Sequence, residues 1–124
     1  MIGVVLDAGA FIALEHRDRV MVALARGFEA DGIPLVTSAG VVAQVWRGGG
    51  GVQIPVVYLL RRTHVVDLTY ATARALGRML GARRARDVVD AHVVQLARER
   101  GWSVVTSDPD DLKAIDPTLR IETI

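Results

Sequence analysis

The chain has 124 residues, of which 51% are hydrophobic and 23% are charged, so an apolar core is expected and disorder is not. Fifteen Lys and Arg against fourteen Asp and Glu give a formal charge of +1, which excludes a histone-like or tail-driven nucleic-acid binder. Because the chain has no cysteine, disulfide scaffolds, thiol catalysis, cysteine zinc sites and iron–sulfur clusters are excluded. We expect one domain over residues 1–124, with any nucleic-acid contact confined to a local patch.

The first apolar run shows no sign of a targeting or membrane segment. The run from Met1 to Leu6 meets Asp7 at once, has no basic flank and is far too short to span a bilayer. Together with the lack of cysteine, this pattern is consistent with a cytoplasmic protein that has no membrane partner.

Short β-branched runs alternate with stretches at helical spacing along the chain. The predicted strands cover residues 2–6, 34–37, 64–68, 103–106 and 119–122. The predicted helices cover residues 20–30, 39–47, 54–62, 70–80, 87–100 and 110–115, with Ser38 and Thr69 as N-caps. The four glycines at 48–51 lack the Lys-Ser/Thr ending of a phosphate-binding loop, so we predict a flexible surface loop there.

This alternation predicts an α/β fold. Continuous apolar strands are typical of burial on both faces, which favours a three-layer α/β/α sandwich around a mostly parallel five-stranded sheet. Ligands of such open sheets bind beyond the carboxyl ends of the strands, so polar residues directly after the strands are the candidates for a site. Ser38 and Thr106 lie at this edge, where we expect them to cap a helix and to end a strand.

Several acidic residues follow predicted strands or begin predicted helices. Asp7 follows the first strand, and Asp108 follows the strand at 103–106. Asp87 and Asp90 lie three residues apart in the first turn of one helix. Helix capping also explains these acids, but an unpaired carboxylate at the end of a buried strand is costly, so Asp7 favours a shared cation. Carboxylate ligands suit Mg²⁺ or Mn²⁺.

Three segments of the chain carry a joint pattern. They are Val4-Val5-Leu6-Asp7-Ala8 followed by Phe11-Ile12-Ala13-Leu14, then Asp87-Val88-Val89-Asp90-Ala91-His92, and Val105-Thr106-Ser107-Asp108-Pro109-Asp110-Asp111-Leu112. Asp108 follows Asp90 by 18 residues, the length of a helix plus a strand. Over essentially the whole chain, this pattern resembles the PIN domain, and most closely the toxin ribonuclease of VapBC-type toxin–antitoxin pairs.

The resemblance implies roles for individual residues. Asp7, Asp90 and Asp108 match the family's first, third and fourth metal-binding acids, which would hold Mg²⁺ or Mn²⁺. The second family acid is a Glu on the helix after the second strand, and Gln44 stands in its place. Because glutamine offers an oxygen without the charge, we expect weaker metal binding, with Asp87 as a neighbouring group that assists the ion or orients water.

The activity implied by the resemblance is metal-dependent hydrolysis of RNA phosphodiester bonds by an endoribonuclease. Arg86 precedes Asp87, and Arg47 follows the helix that carries Gln44, so we predict that both arginines contact the RNA backbone.

A cognate antitoxin and a second copy of the chain, forming a homodimer, are the partners that the resemblance implies. The apolar surface predicted for such contacts lies around Phe28, or around Tyr58 and Leu59. Periodicity does not separate interface residues from core residues at these positions.

Other classes remain open beside the nuclease. A non-catalytic relative with the same fold, kept for binding RNA or a protein partner, is the alternative if Gln44 marks a degraded metal site. A phosphatase of the haloacid dehalogenase type also begins with a strand ending in Asp, but it needs a second Asp where this chain has Gly9. A phospho-receiver domain needs paired acids just after its first strand and is disfavoured for the same reason.

Overall fold

A five-stranded parallel sheet organises the protein, whose computed structural model describes residues 2–83 and 87–124. The strands are β1 (Val4–Leu6), β2 (Leu35–Ser38), β3 (Thr63–Val66), β4 (Ser103–Thr106) and β5 (Ile121–Thr123). Their order in the sheet is β3-β2-β1-β4-β5, with every neighbouring pair parallel. The chain moves outward from β1 through β2 to β3 and then returns to the other side of β1, so the order reverses between β1 and β4.

Helices connect these strands. In the described part of the chain they are α1 (Ala8–Glu15), α2 (Arg19–Ala30), α3 (Ala39–Val45), α4 (Ile54–Arg61), α5 (Tyr70–Arg83), α6 (Val88–Arg100) and α7 (Pro109–Ile115). A short 3₁₀ helix spans Gly51–Gln53. This architecture confirms the predicted α/β fold, a three-layer sandwich around a parallel sheet. Within the same ranges, no helix is both long and apolar enough to cross a bilayer.

The predicted helix starts are set by local hydrogen bonds. Ser38 Oγ accepts from the Val41 amide at 3.1 Å, which begins α3, and Thr69 Oγ1 accepts from the Thr72 amide at 3.1 Å, which begins α5. Such side-chain acceptors satisfy amides that have no partner within the helix. Both predicted caps are therefore confirmed.

Helix α1 is absent from the sequence prediction, which has no helix between the strand at residues 2–6 and the helix at residues 20–30. Its residues are almost all apolar, and Ala10, Phe11 and Leu14 are buried, so the segment has no polar face from which helical periodicity could be recognised. Gly9 allows the start of α1 to approach the loop after β4, because a Cβ at this position would collide with the Ser107 hydroxyl. The start of α1 and the loop after β4 are therefore in close contact beyond the ends of β1 and β4.

Helix α6 provides the longest buried segment of the core. Six consecutive or nearly consecutive residues of this helix are buried, namely Ala91, His92, Val93, Val94, Leu96 and Ala97. The imidazole of His92 is 3% exposed, and its Nε2 has no hydrogen-bond partner among the described residues. Burial lowers the pKa of His92, so a neutral imidazole fits the apolar surroundings. The helix ends at Gly101, whose φ of 67° gives a left-handed C-cap.

The glycine run at 48–51 is anchored, which corrects the prediction of a flexible loop. Gln53 is 3% exposed, and its Oε1 accepts from the amides of Arg47 at 2.7 Å and Gly49 at 3.2 Å. Its Nε2 donates to the Val45 carbonyl at 2.7 Å. One buried amide therefore joins the end of α3 to the start of α4. Sequence periodicity contains no signal for these bonds.

Replacing Gln53 with Ala is expected to lower the free energy of unfolding by about 2–3 kcal/mol, because one buried and two partly buried backbone groups lose their partner. Gln44→Ala is the matched control: Gln44 is exposed and its side chain has no described hydrogen bond, so the change should stay within about 0.5 kcal/mol. Urea unfolding followed by circular dichroism measures both. Equal losses in the two variants would contradict the anchoring role.

Candidate functional site

The carboxyl ends of β1 and β4 are neighbours, because the sheet order reverses between these strands. Leu6 pairs with Val105, so Asp7 and Thr106 come next to each other at the same edge. In open parallel sheets this reversal leaves a crevice beyond the strand ends, where ligands bind. The candidate site lies here, as the sequence predicted.

Asp7 is a carboxylate buried at the end of β1, with 6% of its surface exposed. Its Oδ1 accepts from the Ala8 amide at 2.8 Å, and its Oδ2 accepts from the Thr106 hydroxyl at 2.8 Å. The same hydroxyl accepts from the Asp108 amide at 3.0 Å. Thr106, itself fully buried, therefore connects the acid after β1 to the backbone of the acid after β4.

This role of Thr106 goes beyond the strand-ending position that the sequence suggested. A polar residue at the end of an otherwise apolar strand was the available signal. The partner of its hydroxyl, Asp7, lies 99 residues away in the chain, so no local pattern identifies it. We regard Thr106 as a positioning residue for the Asp7 carboxylate.

The two helix starts beside Asp7 use their acids differently. Asp87 Oδ1 accepts from the Asp90 amide at 3.0 Å, so Asp87 caps α6. Asp108 occupies the N-cap position of α7 and is exposed, but its side chain makes no capping hydrogen bond. The helix-cap explanation is therefore correct for Asp87 and wrong for the side chain of Asp108, which the start of α7 does not use.

Five carboxylates share one electrostatic environment at this edge. Burial, together with the charges of Asp87, Asp7, Asp111 and Asp108, raises the pKa of Asp90 to about 7. Burial also raises the pKa of Asp7, although the hydrogen bonds from Thr106 and Ala8 oppose the shift. These mutual effects show that the predicted acids Asp7, Asp87, Asp90 and Asp108 lie within electrostatic range of one another.

Asp111 is a further member of this group that the sequence-based site did not include. It lies in the first turn of α7, and the neighbouring charge of Asp108 is the main cause that raises its pKa. Its spacing of three residues from Asp108 places both acids on neighbouring positions of the helix start, which was the signal that could have found it.

The donor chemistry of the five acids fits a hard divalent cation. None of them takes part in the salt bridges described for residues 2–83 and 87–124, which are Arg62–Glu29, Arg98–Asp116 and Arg100–Glu99. Within those residues, however, no three His, Asp or Glu side chains are placed closely enough to hold an ion together. The charge and the oxygen atoms of these acids therefore fit Mg²⁺ or Mn²⁺. To coordinate one ion together, however, the carboxylates would have to move closer to one another.

Two predicted site residues, Gln44 on α3 and Arg47 just after it, make no described hydrogen bond to the acids. Gln44 is exposed, and no described hydrogen bond joins its side chain to Asp7, Asp90 or Asp108. Arg47 donates to the backbone carbonyls of Gln44 at 3.0 Å and Trp46 at 2.7 Å, which satisfies the end of α3. Two of its five guanidinium N–H groups are thus in use.

Arg86, the other predicted RNA contact, lies outside the described residues. Its role and that of Arg47 toward RNA stay predictions.

Comparisons with known proteins identify the family. The PIN-domain family model matches residues 4–116, so the chain belongs to the PIN-domain family. The fold is similar to that in the structure of FitAB bound to IR36 DNA fragment, with a TM-score of 0.65 and 16% sequence identity. The similarity covers 97% of this chain and 94% of the other. None of the curated proteins compared with this chain matches it.

Thr106→Val is expected to destabilise the protein by about 1–3 kcal/mol, because Asp7 Oδ2 loses its donor and the Asp108 amide loses its acceptor. The pKa of Asp7 should also rise, since the hydroxyl hydrogen bond lowers it. Thr106→Ser keeps the hydroxyl and is the matched control, with the pKa of Asp7 close to that of the wild type. Carboxyl-detected NMR titration measures the shift. An unchanged Asp7 pKa in Thr106→Val would refute the positioning role.

In EDTA, Asp90→Asn is expected to be more stable than the wild type at pH 8. Folding raises the pKa of Asp90 from its ordinary value of 3.8 to about 7, so its favourable contribution is complete below about pH 4 and disappears as the pH rises through 7. Because Asp90 is half-buried and solvent screens its charge, the gain from an uncharged side chain should be about 1–2 kcal/mol.

Thermal and urea unfolding at pH 5 and pH 8 test this expectation, with the gain larger at pH 8. Asp110→Asn is the control, because Asp110 is exposed and is not among the charges acting on Asp90. An equal gain in the free energy of unfolding at both pH values, or an equal gain in the control, would show that the ionisation of Asp90 does not destabilise the protein.

Proposed function

We propose that this protein is a metal-dependent endoribonuclease that acts in the cytoplasm as the toxin of a toxin–antitoxin pair. The observation that carries the proposal is the set of mutually repelling carboxylates at the carboxyl ends of β1 and β4, with no described salt bridge to offset them. Membership of the PIN-domain family, whose members are generally nucleases, supports the reaction class.

Asp7, Asp90 and Asp108 are the residues proposed to hold Mg²⁺ or Mn²⁺. Asp7 is fixed by two hydrogen bonds, which leave about two of the four acceptor positions of its carboxylate for an ion. When bound, a divalent cation supplies positive charge for a phosphate oxygen and lowers the pKa of a water molecule. The protein's contribution is to hold these oxygens at one edge and to orient them through Thr106.

Asp87 and Gln44 are proposed to act around this centre rather than as its main ligands. Asp87 is held at the start of α6 by its bond to the Asp90 amide, where its charge favours the presence of a cation. Gln44 has a neutral amide where the family pattern has a carboxylate, so the site carries one negative charge fewer and attracts a cation less strongly. Weak metal affinity is the expected consequence.

RNA is the proposed substrate, with products that carry 5′-phosphate and 3′-hydroxyl ends. The negative charge of the acids repels a phosphodiester, so a cation must be present before the backbone approaches closely. Arg47, beside the glycine run, and Arg86 are the proposed contacts to the phosphate backbone.

An antitoxin protein is the proposed partner, and a groove between α2 and α4 is a candidate surface for it. The groove encloses about 440 Å³ and is lined by apolar side chains including Val22, Ile54 and Tyr58. Ile54 and Tyr58 are 51% and 64% exposed, whereas Leu59 is buried, so only part of the apolar region expected around Tyr58 is open to a partner. A homodimer is proposed as well.

A binding module without catalysis is the second candidate function. Two observations favour it: the neutral Gln44 at the second acid position, and the lack, within the described ranges, of three acidic or histidine side chains placed to hold an ion. Measuring RNA cleavage and RNA binding against Mn²⁺ concentration separates the two functions.

Wild-type protein with Mn²⁺ is expected to cleave labelled structured RNA, and EDTA should abolish cleavage. Asp90→Asn should lower the cleavage rate at least about 100-fold, because a cation loses a charged ligand. Gln44→Glu should be at least as active as the wild type and should need less Mn²⁺. Cleavage rates against Mn²⁺ concentration, read on denaturing gels, give both quantities.

Asp110→Asn is the matched control for the loss of one negative charge from this region, with a rate within about threefold of the wild type. Equal cleavage by the wild type and Asp90→Asn would end the nuclease proposal. RNA binding without cleavage at any Mn²⁺ concentration would favour the binding module.

A further inference from the structure

A cavity lined by charged side chains lies near the amino ends of β4 and β5, on the side of the sheet opposite to the acids of the candidate site. Arg83, Arg98 and Arg120 line a cavity of about 460 Å³, and we call this the arginine pocket. Arg120 directly precedes β5, and Gly101, also in the lining, lies just before β4. Because the strands are parallel, their amino ends share one edge and their carboxyl ends the other. The arginine pocket is therefore separate from the carboxylates.

Asp116 is the acidic member of the lining and is internally satisfied. Its Oδ1 accepts from the Thr118 hydroxyl at 2.6 Å and the Thr118 amide at 2.9 Å, and its Oδ2 faces Arg98 Nε at 3.4 Å. The Thr118 hydroxyl is the main cause that lowers the pKa of Asp116, and Arg98 and Arg83 lower it further. One charge of the three arginines is thus offset, and two positive charges are left over.

The guanidinium groups keep most of their donors. Arg98 directs Nε to Asp116, while its side chain is 57% exposed, and Arg120 donates one Nη2 hydrogen bond to the Gly101 carbonyl. The salt bridges of the described residues involve neither Arg83 nor Arg120. Each guanidinium has five N–H groups in a fixed fork that matches the oxygens of a phosphate.

The position of these side chains indicates a site rather than scattered surface charge. They come from three separate segments of the chain: Arg83 ends α5, Arg98 lies near the end of α6, and Arg120 lies in the connection before β5. The buried Asp116 pairs with Arg98, and Ala97 and Leu119 contribute apolar side chains to the lining. A cavity with an excess of two positive charges and apolar walls fits a dianion of moderate size.

We propose that the arginine pocket binds a phosphate group of a ligand, remote from the candidate nuclease centre. The phosphate comes either from a small phosphorylated molecule or from the backbone of a nucleic acid, and both present the same oxygens to the guanidinium forks. The proposal rests on the charge and geometry of the pocket and does not depend on the nuclease function.

The test is titration of full-length protein in EDTA, with pyrophosphate as the small probe and a 5′-hydroxyl octanucleotide RNA as the backbone probe. Arginine Nε–H signals in ¹⁵N-resolved NMR report the binding position. Pyrophosphate is expected to shift the signals of Arg83, Arg98 and Arg120 saturably, with half-saturation below about 1 mM. Shifts with pyrophosphate identify a small-molecule site, and shifts with the octanucleotide alone identify a backbone site.

The double variant Arg83→Gln/Arg120→Gln leaves the Arg98–Asp116 pair in place and is expected to weaken binding at least tenfold. Arg74→Gln/Arg78→Gln removes the same charge from the exposed part of α5 and should change binding less than twofold. Equal weakening in both double variants, or no saturable shift with either probe, would overturn the proposal. Circular dichroism melting of each variant verifies that the fold is kept.

Discussion

The hydrogen bond between Thr106 and Asp7 is the constraint around which the functional edge is organised. A carboxylate at the end of a buried strand requires donors, and the Thr106 hydroxyl and the Ala8 amide supply them. Because that hydroxyl also accepts from the Asp108 amide, one side chain fixes the ends of β1 and β4 against each other. The fold thereby keeps several like charges together, at a cost to its own stability.

The architecture was predictable because its signals are local. β-Branched runs mark the strands, and the caps Ser38 and Thr69 act within three residues of their own position. Helix α1 escaped prediction because its residues are apolar on nearly every side. The anchoring of the glycine run also escaped, since Gln53 is a polar residue whose burial depends on backbone groups brought near it only by folding.

The candidate site was predictable to the level of which residues meet at one edge. The rule that ligands bind beyond parallel strand ends selected Asp7 and Asp108, and helix spacing added Asp90. Which carboxylate is used by a helix start could not be read from sequence, since Asp87 and Asp108 have similar local contexts but only Asp87 caps. How closely the oxygens approach depends on side-chain rotamers, which no spacing rule fixes.

Two clusters of opposite charge lie at the two ends of the strands of the parallel sheet. Acids gather at one end and the guanidinium groups of Arg83, Arg98 and Arg120 at the other, although the formal charge of the whole chain is only +1. The arginine pocket therefore attracts a polyanion in solution, whereas the acids repel it. Divalent cations held by the acids would weaken that repulsion, so their concentration changes how readily such a polymer approaches the acidic end of the strands.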